Sequence, residues 1–389
     1  MPQVRRLRWA MSEVRSQAAT GPGGAAHDTT GLATGVAEPS GLDHSGSSVA
    51  ADSVTGGGAS RHGAAQPGSG GWRAPLGRGV QATNQYMGVL AVLALLLVAL
   101  TVTQPQFLTS DNFVNILEAN SVLLVVSVGL TFVLLVGGID LSIVGTIALT
   151  QVGLWELIKA GMPAGLACVV VIAGAFAVGF LINGLLIGRV GLSFLVVTIA
   201  TASIFQGVAN VRTGGQSQSL ATENWLIDVG TQSWWGLPVV VWIAFAVLLL
   251  GIALLRYTGY GRMVYAVGGN PEAARLAGIN VALIRVSVFG ICAGLAGLAA
   301  VLSVCQLTSA TPNPPATTTL TAGAAVLLGG TSFMGGRGSL LGTLLGVLFL
   351  GVLSNGLTLA GISDFWTGIV SGTVLVAAIL FDRLRNGAA

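Results

Sequence analysis

The sequence predicts an all-α polytopic membrane protein of about ten transmembrane helices, with a disordered N-terminal tail. Hydrophobic residues make up 53% of the 389 residues and charged residues only 8%, whereas soluble domains contain roughly 25% charged residues. The apolar runs are continuous and rich in Leu, Val, Ala and Gly, which favours helices over the short alternating strands of a membrane barrel. No such run occurs in residues 1–85.

Residues 1–85 are predicted to form a separate cytoplasmic tail. This stretch is rich in Gly, Ala, Ser and Thr and poor in aromatic and large aliphatic side chains. Such a composition buries too little apolar surface to offset the chain entropy that is lost on folding, so we expect disorder. The transmembrane domain is then expected at 86–385.

The transmembrane domain contains ten apolar runs of about the length that a helix needs to cross a bilayer, ~20 residues. Glycine pairs interrupt the third, eighth and ninth runs, so eight spans with re-entrant segments are an alternative that keeps both ends of the domain on the same side. The predicted spans are 86–104, 119–137, 140–158, 164–187, 192–211, 237–255, 284–305, 319–334, 339–358 and 365–381.

The basic residues predict which side each loop faces. With ten spans and a cytoplasmic N-terminus, 15 of the 17 Lys and Arg residues fall on the cytoplasmic side, and only Lys159 and Arg212 fall outside. Because positive residues concentrate in cytoplasmic loops, we expect both termini in the cytoplasm. The net charge of +3 is small and gives no indication of nucleic-acid binding.

Neither histidine nor cysteine predicts a metal site or catalysis in this chain. The three histidines all lie in the tail, and the three cysteines lie in apolar runs without close spacing. Buried thiols of this kind usually pack as small hydrophobic groups. We therefore predict no catalytic residue, no metal site and no cofactor.

The predicted cytoplasmic loop 256–283 contains a short helix with strong end signals. Asn270 is a favourable N-cap and Pro271 suits the first helical position, while Gly278 suits the C′ position. A connection needs only a few residues, so we interpret the helix as a docking element, with a simple connection as the alternative. The residues predicted to couple to a partner are Gly269, Asn270, Pro271, Glu272, Ala273, Arg275, Leu276 and Gly278.

Three motifs resemble, in the same order, the permease subunits of bacterial ABC transporters for simple sugars of the ribose, xylose and arabinose type. They are GGIDLS at 137–142, YAVGGNPEAARLAGINV at 265–281, and VLLGGTSFMGGRGSLLGTLLGVLFLGVLSNGLTLAGI at 326–362. The resemblance covers roughly 86–385. In the run DLSIVG, Gly145 comes one position later than in the usual pattern of that family.

The resemblance implies a homodimer of permease subunits in the bacterial cytoplasmic membrane, in contact with lipid. Each subunit would dock a cytoplasmic ABC ATPase, and an extracytoplasmic sugar-binding protein or lipoprotein would deliver a monosaccharide. The sequence contains no GxxxxGK[ST] phosphate loop, so ATP and Mg²⁺ are expected on the partner ATPase, and this chain is expected to be a transport subunit rather than an enzyme. An ion-coupled secondary transporter and a branched-chain amino-acid ABC permease are the alternatives.

The GGIDLS motif places a carboxylate in a long apolar run, where a charge at the bilayer centre costs ~2.5–3.5 kcal/mol on insertion scales. One interpretation is that Gly137 and Gly138 form a turn and that Asp140 caps the next helix. The other is a broken helix that lines the translocation path. Ser142 fits either interpretation.

Further candidates for the path lie on the span 192–211. Thr198, Gln206 and Asn210 are spaced by eight and four residues and share one stripe of the helix. Uncharged polar groups suit a neutral sugar better than an ion, although hydrogen bonding between helices is the alternative for each residue. The predicted path residues are Asp140, Ser142, Thr198, Gln206 and Asn210.

Glycines at four-residue spacing predict close helix packing without chemistry. Small-xxx-small faces allow two helix backbones to approach each other. The positions predicted for such packing are Gly290, Gly294, Gly338, Gly342 and Gly346.

Overall fold

A computed structural model describes residues 78–220 and 224–363, together with single positions between 366 and 376. The regular secondary structure of this part is helical apart from two short pairs of antiparallel strands. The first helix begins at Arg78, inside the predicted tail. The rest of that tail, and nearly all of the predicted span 365–381, lie outside the described residues.

The elements follow one another in a simple order. The helices are α1 (Arg78–Thr103), α2 (Ser110–Ala119), α3 (Ser121–Leu135), α4 (Ile143–Lys159), α5 (Ala164–Val178), α6 (Phe194–Thr213), α7 (Asn224–Thr231), α8 (Val239–Tyr257), α9 (Gly259–Gly269), α10 (Pro271–Leu276), α11 (Val281–Leu307), α12 (Thr317–Leu328) and α13 (Leu340–Leu359). Helix α5 continues directly as a π-helix, Gly179–Arg189. Strand β1 (Gln218–Ser219) pairs with β4 (Ser309–Ala310), and β2 (Ser233–Trp234) pairs with β3 (Leu237–Pro238).

Five helices of the described chain are long and apolar enough to cross a membrane: α5 with its π-helical continuation, α6, α8, α11 and α13. Helices α2 and α3, bent by 42° at the break between them, make a sixth if they count as one span. The expected ten spans are therefore not confirmed. Helices α4 and α12 lie on predicted spans, but glycine loops shorten them to 17 and 12 residues. At 1.5 Å per residue these lengths give ~26 and ~18 Å, less than the ~30 Å hydrocarbon core.

Helix α11 is the centre of the bundle. Within the most apolar stretch of α11, 78% of the residues are buried, against 28% to 50% in the corresponding stretches of the other four long helices. The π-helix lies against it with very short backbone distances. A Cβ added at Gly184 or Gly188 would lie 2.8 Å from the carbonyl oxygen of Val286 or Ala282, respectively. Glycine at these two positions therefore permits the close contact between the π-helix and α11.

The predicted packing glycines of α11 accept aromatic rings from α5 and from the π-helix that continues it. A Cβ at Gly290 would lie 3.1 Å from the side chain of Phe180, and one at Gly294 would lie 3.2 Å from that of Phe176. The phenyl rings themselves are stacked with centroids 5.9 Å apart. At these positions, ring-to-helix packing takes the place of a backbone-to-backbone approach.

The second predicted glycine stripe is shorter than expected. Gly342 and Gly346 face α12, where a Cβ at Gly346 would collide with the carbonyl of Ala325, and the Gly342 carbonyl lies against Gly329. Gly338 does not belong to this stripe, because it lies in the loop before α13 with a φ of +154° and contacts Thr331. Ser339 caps α13 instead, by accepting a hydrogen bond from the N–H of Gly342.

Candidate functional site

Asp140 lies in the loop 136–142 between α3 and α4, with none of its surface exposed. Its Oδ1 accepts hydrogen bonds from the backbone N–H of Ser142 at 2.8 Å and from the hydroxyl of Ser142 at 2.5 Å. Ser142 is the N-cap position of α4. The carboxylate therefore holds the start of α4 from two residues before it, in the protein interior.

Two further side chains extend this contact to other elements. The Nδ2 of Asn183, in the π-helix, donates to Ser142 Oγ at 2.7 Å. The hydroxyl of Thr201, in α6, lies 2.8 Å from Asn183 Oδ1, to which it can donate. None of the four side chains is more than 4% exposed. We call Asp140, Ser142, Asn183 and Thr201 the buried cluster; it joins a loop, a π-helix and α6.

One oxygen of the buried cluster has no hydrogen-bond partner among the described residues. This oxygen is Asp140 Oδ2, whose neighbour from α11 is the thiol of Cys292. No Lys or Arg of the described chain lies within 4 Å of the carboxylate. Because an unpartnered polar atom away from water costs free energy, and because buried ionisable residues in membrane proteins usually mark functional positions, Asp140 remains a candidate site residue.

A second polar cluster brings together the two predicted residues Gln206 and Asn210. Asn210 and Asn313 exchange two amide hydrogen bonds of 3.1 and 3.0 Å. The Nε2 of Gln206 donates to Asn313 Oδ1 at 3.2 Å. Asn313 is exposed and the other two are half-buried. We call these three residues the amide cluster.

The loop that carries Asn313 is held in place by α4. The N–H of Asn313 donates to the hydroxyl oxygen of Thr311, and the N–H of Thr311 donates to Gln151 Oε1 at 2.8 Å. Gln151 is buried at 1% exposure. Pro312 and Pro314 flank Asn313, and each proline ring fixes its own φ. The amide of Asn313 is therefore presented on a restrained backbone.

The amide cluster can recognise hydroxyl groups. Each amide side chain carries two donors and one acceptor oxygen, and small-ligand sites use a few such convergent groups to orient a neutral polar molecule. The cluster contains no charged side chain, so it suits a neutral polyol better than an ion.

Thr198 belongs to neither cluster. It is fully buried, and its hydroxyl donates to the carbonyl of Phe194 in its own helix at 2.8 Å. The sequence stripe of Thr198, Gln206 and Asn210 is therefore divided. The sequence prediction also missed Asn313 and Thr201. A polar residue between prolines was a signal for Asn313, whereas no sequence feature distinguishes Thr201 from Thr198.

Helix α10 has the local geometry that the sequence predicts. Asn270 Oδ1 accepts a hydrogen bond from the N–H of Ala273 at 3.0 Å, Pro271 is the first helical residue, and Gly278 follows the helix with a φ of +81°. Glu272 and Arg275 pair with each other at 2.9 Å on the exposed side. Leu276 is 90% exposed. A leucine so exposed at the end of a short, capped helix is accessible to another protein.

The chain directly before α10 contacts two glycine-containing loops through backbone atoms, one after α3 at 136–142 and one before α13 at 329–339. The N–H of Gly336 donates to the carbonyl of Leu135, at the end of α3, at 2.9 Å. A Cβ at Gly268 would collide with that same carbonyl and lie 2.6 Å from the nitrogen of Gly336. A Cβ at Gly335 would lie 2.8 Å from the nitrogen of Gly137. We call these contacts, among residues 135–137, 268–269 and 335–336, the glycine junction.

The glycine junction connects α10 to the loop that carries Asp140, with only Asn270 between the junction and the first residue of α10. Gly269 is the last residue of α9, Asn270 caps α10, and Gly137 begins the turn towards Asp140. Backbone-to-backbone packing leaves little room for one segment to move without the others. The late Gly145 adds a similar contact on the other side of Asp140, since a Cβ there would lie 2.7 Å from the Cα of Ala202 in α6.

Over residues 112–379 the chain matches the family described as "Branched-chain amino acid transport system / permease component". The chain belongs to this family. The matched region includes both polar clusters, the glycine junction and α10. The expected resemblance to sugar ABC permeases is confirmed by the individual relatives below, and membership makes the chain a transmembrane transport subunit.

The curated relatives are similar over most of the chain. The ribose import permease protein RbsC of Escherichia coli (strain K12) is 37% identical over 305 residues, covering 77% of this chain and 93% of the relative. RbsC of Bacillus subtilis (strain 168) is 36% identical over 304 residues, 78% and 94% of the two chains. The L-arabinose transport system permease protein AraH of Escherichia coli (strain K12) is 32% identical over 311 residues, which cover 78% of this chain and 92% of the relative. No solved structure matches the chain.

Proposed function

We propose that this chain is the membrane-spanning subunit of an ATP-driven importer for a monosaccharide. The observation that carries the proposal is the position of α10. This helix is capped, bears an exposed leucine and directly follows the glycine junction in the chain. The curated relatives, which are named as ribose and arabinose permeases, support the substrate class.

In the proposed mechanism the end of the bundle that carries α10 lies in the cytoplasm, as do both termini. An ABC ATPase, which holds ATP and Mg²⁺, binds around Leu276 and moves α10 when its two subunits close. Because the glycine junction is tightly packed, the movement reaches the loop of Asp140 and the start of α13 together. A second copy of this chain, on a second ATPase subunit, would complete the transporter.

A sugar enters at the opposite end of the bundle, where the amide cluster offers donors and acceptors to its hydroxyl groups. An extracytoplasmic sugar-binding protein or lipoprotein delivers the sugar there. That end also carries the hairpin of β2 and β3, with Trp234 and Trp235 58% and 92% exposed. Exposed tryptophans are common both at partner interfaces and at the membrane surface.

The proposal is tested by measuring how much ATPase copurifies with the wild type and with variants of Leu276. The tagged chain is purified from its native membrane in mild detergent, and copurifying proteins are identified by mass spectrometry. We expect a stoichiometric ATPase with the wild type and with Leu276→Met, which keeps an apolar anchor. With Leu276→Asp we expect at least tenfold less ATPase, because a loss of ~1.4 kcal/mol at an interface anchor corresponds to tenfold in affinity.

An unchanged ATPase yield in Leu276→Asp would contradict the docking assignment. A wild-type preparation without any ATPase, under conditions in which other ABC complexes survive, would contradict ATP-driven transport altogether.

Ion-coupled transport is the second candidate, because Asp140 Oδ2 is buried without a hydrogen-bond partner among the described residues. Proton relays in transporters use buried carboxylates of this kind. Uptake into energised vesicles separates the two functions. Collapse of the ion gradient at constant ATP would stop an ion-coupled carrier at once and would leave an ATP-driven importer active.

A branched-chain amino-acid substrate is not favoured by the amide cluster. An amino acid carries one positive and one negative group, and each needs a charged or strongly polar partner when it leaves water. Within the described residues the cluster offers only neutral amides. Competition of labelled-sugar uptake by leucine or isoleucine would overturn this assignment.

A further inference from the structure

A cleft of about 330 Å³ opens between α8, α9 and the start of α13. It lies at the end of the bundle that carries α10, but it is separate from the docking helix and from both polar clusters. One part of its lining is apolar and the other is polar and basic. The lining residues are Ile252, Leu255, Arg256, Tyr265, Ser339, Leu340 and Leu341.

The polar part of the cleft is positively charged. Arg256 is exposed, and no carboxylate of the described chain lies within 4 Å of its guanidinium group. The same end of the cleft contains Ser339 and the first residues of α13, where a helix N-terminus carries partial positive charge. The Tyr265 hydroxyl donates to the carbonyl of Gly338 at 2.9 Å and fixes the ring in the wall. Charge complementarity therefore favours an anionic occupant.

The apolar part of the cleft continues onto the surface of α8. Leu249 lies seven residues before Arg256, on the same side of α8, and is 64% exposed, and Leu341 in the cleft wall is 50% exposed. In a transmembrane protein, exposed leucines of this kind face hydrocarbon chains. Tyr257, 73% exposed, has its ring 5.8 Å from the Arg256 guanidinium. Tyrosine and arginine together at a helix end mark the level of the lipid headgroups.

We propose that this cleft binds one anionic phospholipid, with the headgroup phosphate against Arg256 and an acyl chain along Ile252 and Leu249 of α8. Basic pockets between helices at the membrane surface suit anionic headgroups. A free phosphate ion would use the basic end and leave the apolar wall exposed, whereas a phospholipid satisfies both. The proposal depends on the transmembrane position of the chain and not on its substrate or on its ATPase.

The test measures lipid binding to the full chain directly. Wild-type protein in detergent is titrated with dioleoyl phosphatidylglycerol or with dioleoyl phosphatidylcholine, and lipid adducts are counted by native mass spectrometry. We expect the wild type to prefer phosphatidylglycerol. For Arg256→Ala we expect about fivefold weaker binding, the factor for the ~1 kcal/mol that one basic residue contributes near anionic lipid. Arg256→Lys is expected to retain most of the affinity.

Two further variants test whether phosphatidylglycerol binds in the cleft itself. Arg262→Ala is the matched control, because Arg262 is an exposed arginine of the adjacent helix α9 and does not line the cleft. It should bind phosphatidylglycerol like the wild type. Ile252→Trp places a larger side chain in the apolar wall and should weaken the binding of phosphatidylglycerol although the charge is unchanged.

Several results would overturn the proposal. Equal binding of the two lipids would remove the headgroup assignment, and an equal loss in Arg262→Ala and Arg256→Ala would remove the cleft. Displacement of bound phosphatidylglycerol by millimolar inorganic phosphate would identify a simple anion site. If the wild type is a dimer without bound lipid and Arg256→Glu makes it monomeric, the occupant is a second copy of this chain.

Discussion

The buried cluster and the amide cluster contain similar side chains but differ in access to water and in the elements they join. The buried cluster links a glycine loop, the π-helix and α6 with no side chain above 4% exposure. The amide cluster joins α6 to a restrained loop and includes the exposed Asn313. The contrast fits the proposed division of roles along α6, in which one cluster fixes helix positions and the other is the proposed contact for the substrate.

The difference follows from what each cluster would lose on contact with a ligand. The hydrogen bonds of the buried cluster already satisfy Asp140 Oδ1 and Ser142, and a sugar has no open route to them in this conformation. The side chains of the amide cluster hydrogen-bond to one another. Sugar hydroxyl groups can replace those hydrogen bonds with equivalent ones at little cost in free energy. Variants in the first cluster should therefore change stability, and variants in the second should change the KM for uptake.

Removal of the Asp140 carboxylate should give the largest effect. In Asp140→Ala, the N–H and hydroxyl of Ser142 lose their acceptor, and each buried group left unpaired costs about 1–3 kcal/mol. We expect a clear fall in the unfolding temperature of the purified protein and in its abundance in the membrane. Thermal unfolding in detergent, followed by intrinsic tryptophan fluorescence, measures the change.

Asp140→Asn is the matched control for that variant. Its side chain keeps an acceptor oxygen for Ser142, so most of the stability should remain. If Asp140→Ala unfolds at the wild-type temperature but no longer transports, Asp140 acts on the path and the proposed division between the clusters is wrong.

A variant of Asn313 should change the KM for uptake and leave the fold intact. Asn313→Ala removes the residue that joins Gln206 and Asn210, and one lost hydrogen bond to a ligand is worth ~0.5–1.5 kcal/mol. We expect the KM for sugar uptake to rise roughly two- to tenfold, with the unfolding temperature nearly unchanged. Uptake of labelled sugar over a range of concentrations gives the KM.

The chain contains a second reciprocal amide pair that serves as the control. Asn112 and Asn355 exchange hydrogen bonds of 3.1 and 2.8 Å between α2 and α13, away from the amide cluster. Asn355→Ala should lower the unfolding temperature slightly and leave the KM unchanged. A rise in KM with Asn355→Ala equal to that of Asn313→Ala would show that the effect is general packing and not substrate contact.

Local features of the sequence predicted more of this molecule than its long-range contacts. The caps of α10 form as expected because Asn270, Pro271 and Gly278 act on their immediate neighbours. The stripe of Thr198, Gln206 and Asn210 does not form one open surface, because Thr198 is buried whereas Gln206 and Asn210 bond to Asn313. The burial of Thr198 and the approach of Asn313, about a hundred positions along the chain, depend on distant packing that helical spacing cannot report.

The count of ten spans is not confirmed, for a related reason. Hydropathy recognised the apolar runs around GGIDLS and VLLGG, but not that the glycine loops would meet each other and Gly268 through backbone atoms. Glycine has no side chain whose pattern could predict such a meeting. The shortened helices α4 and α12 are the consequence, and the junction that connects them to α10 could be found only in the folded chain.

The smallest expected effect comes from Thr201, and it is also the sharpest test of the buried cluster. Thr201 and Thr198 both lie on the buried side of α6, and each hydroxyl is within 2.8 Å of the carbonyl four residues before it. Only Thr201 also lies 2.8 Å from Asn183 Oδ1. Replacing each with valine keeps the shape and removes the hydroxyl, so the difference between the two variants isolates the bond to the π-helix.

We expect Thr201→Val to lose ~0.5–1.5 kcal/mol more of the free energy of unfolding than Thr198→Val does, the usual net value of one hydrogen bond. The KM for sugar should stay the same in both, because neither hydroxyl belongs to the amide cluster. Equal stability of the two variants would mean that Asn183 is held by Ser142 alone. The buried cluster would then end at the π-helix, and α6 would be held there by packing such as the contact of Ala202 with Gly145.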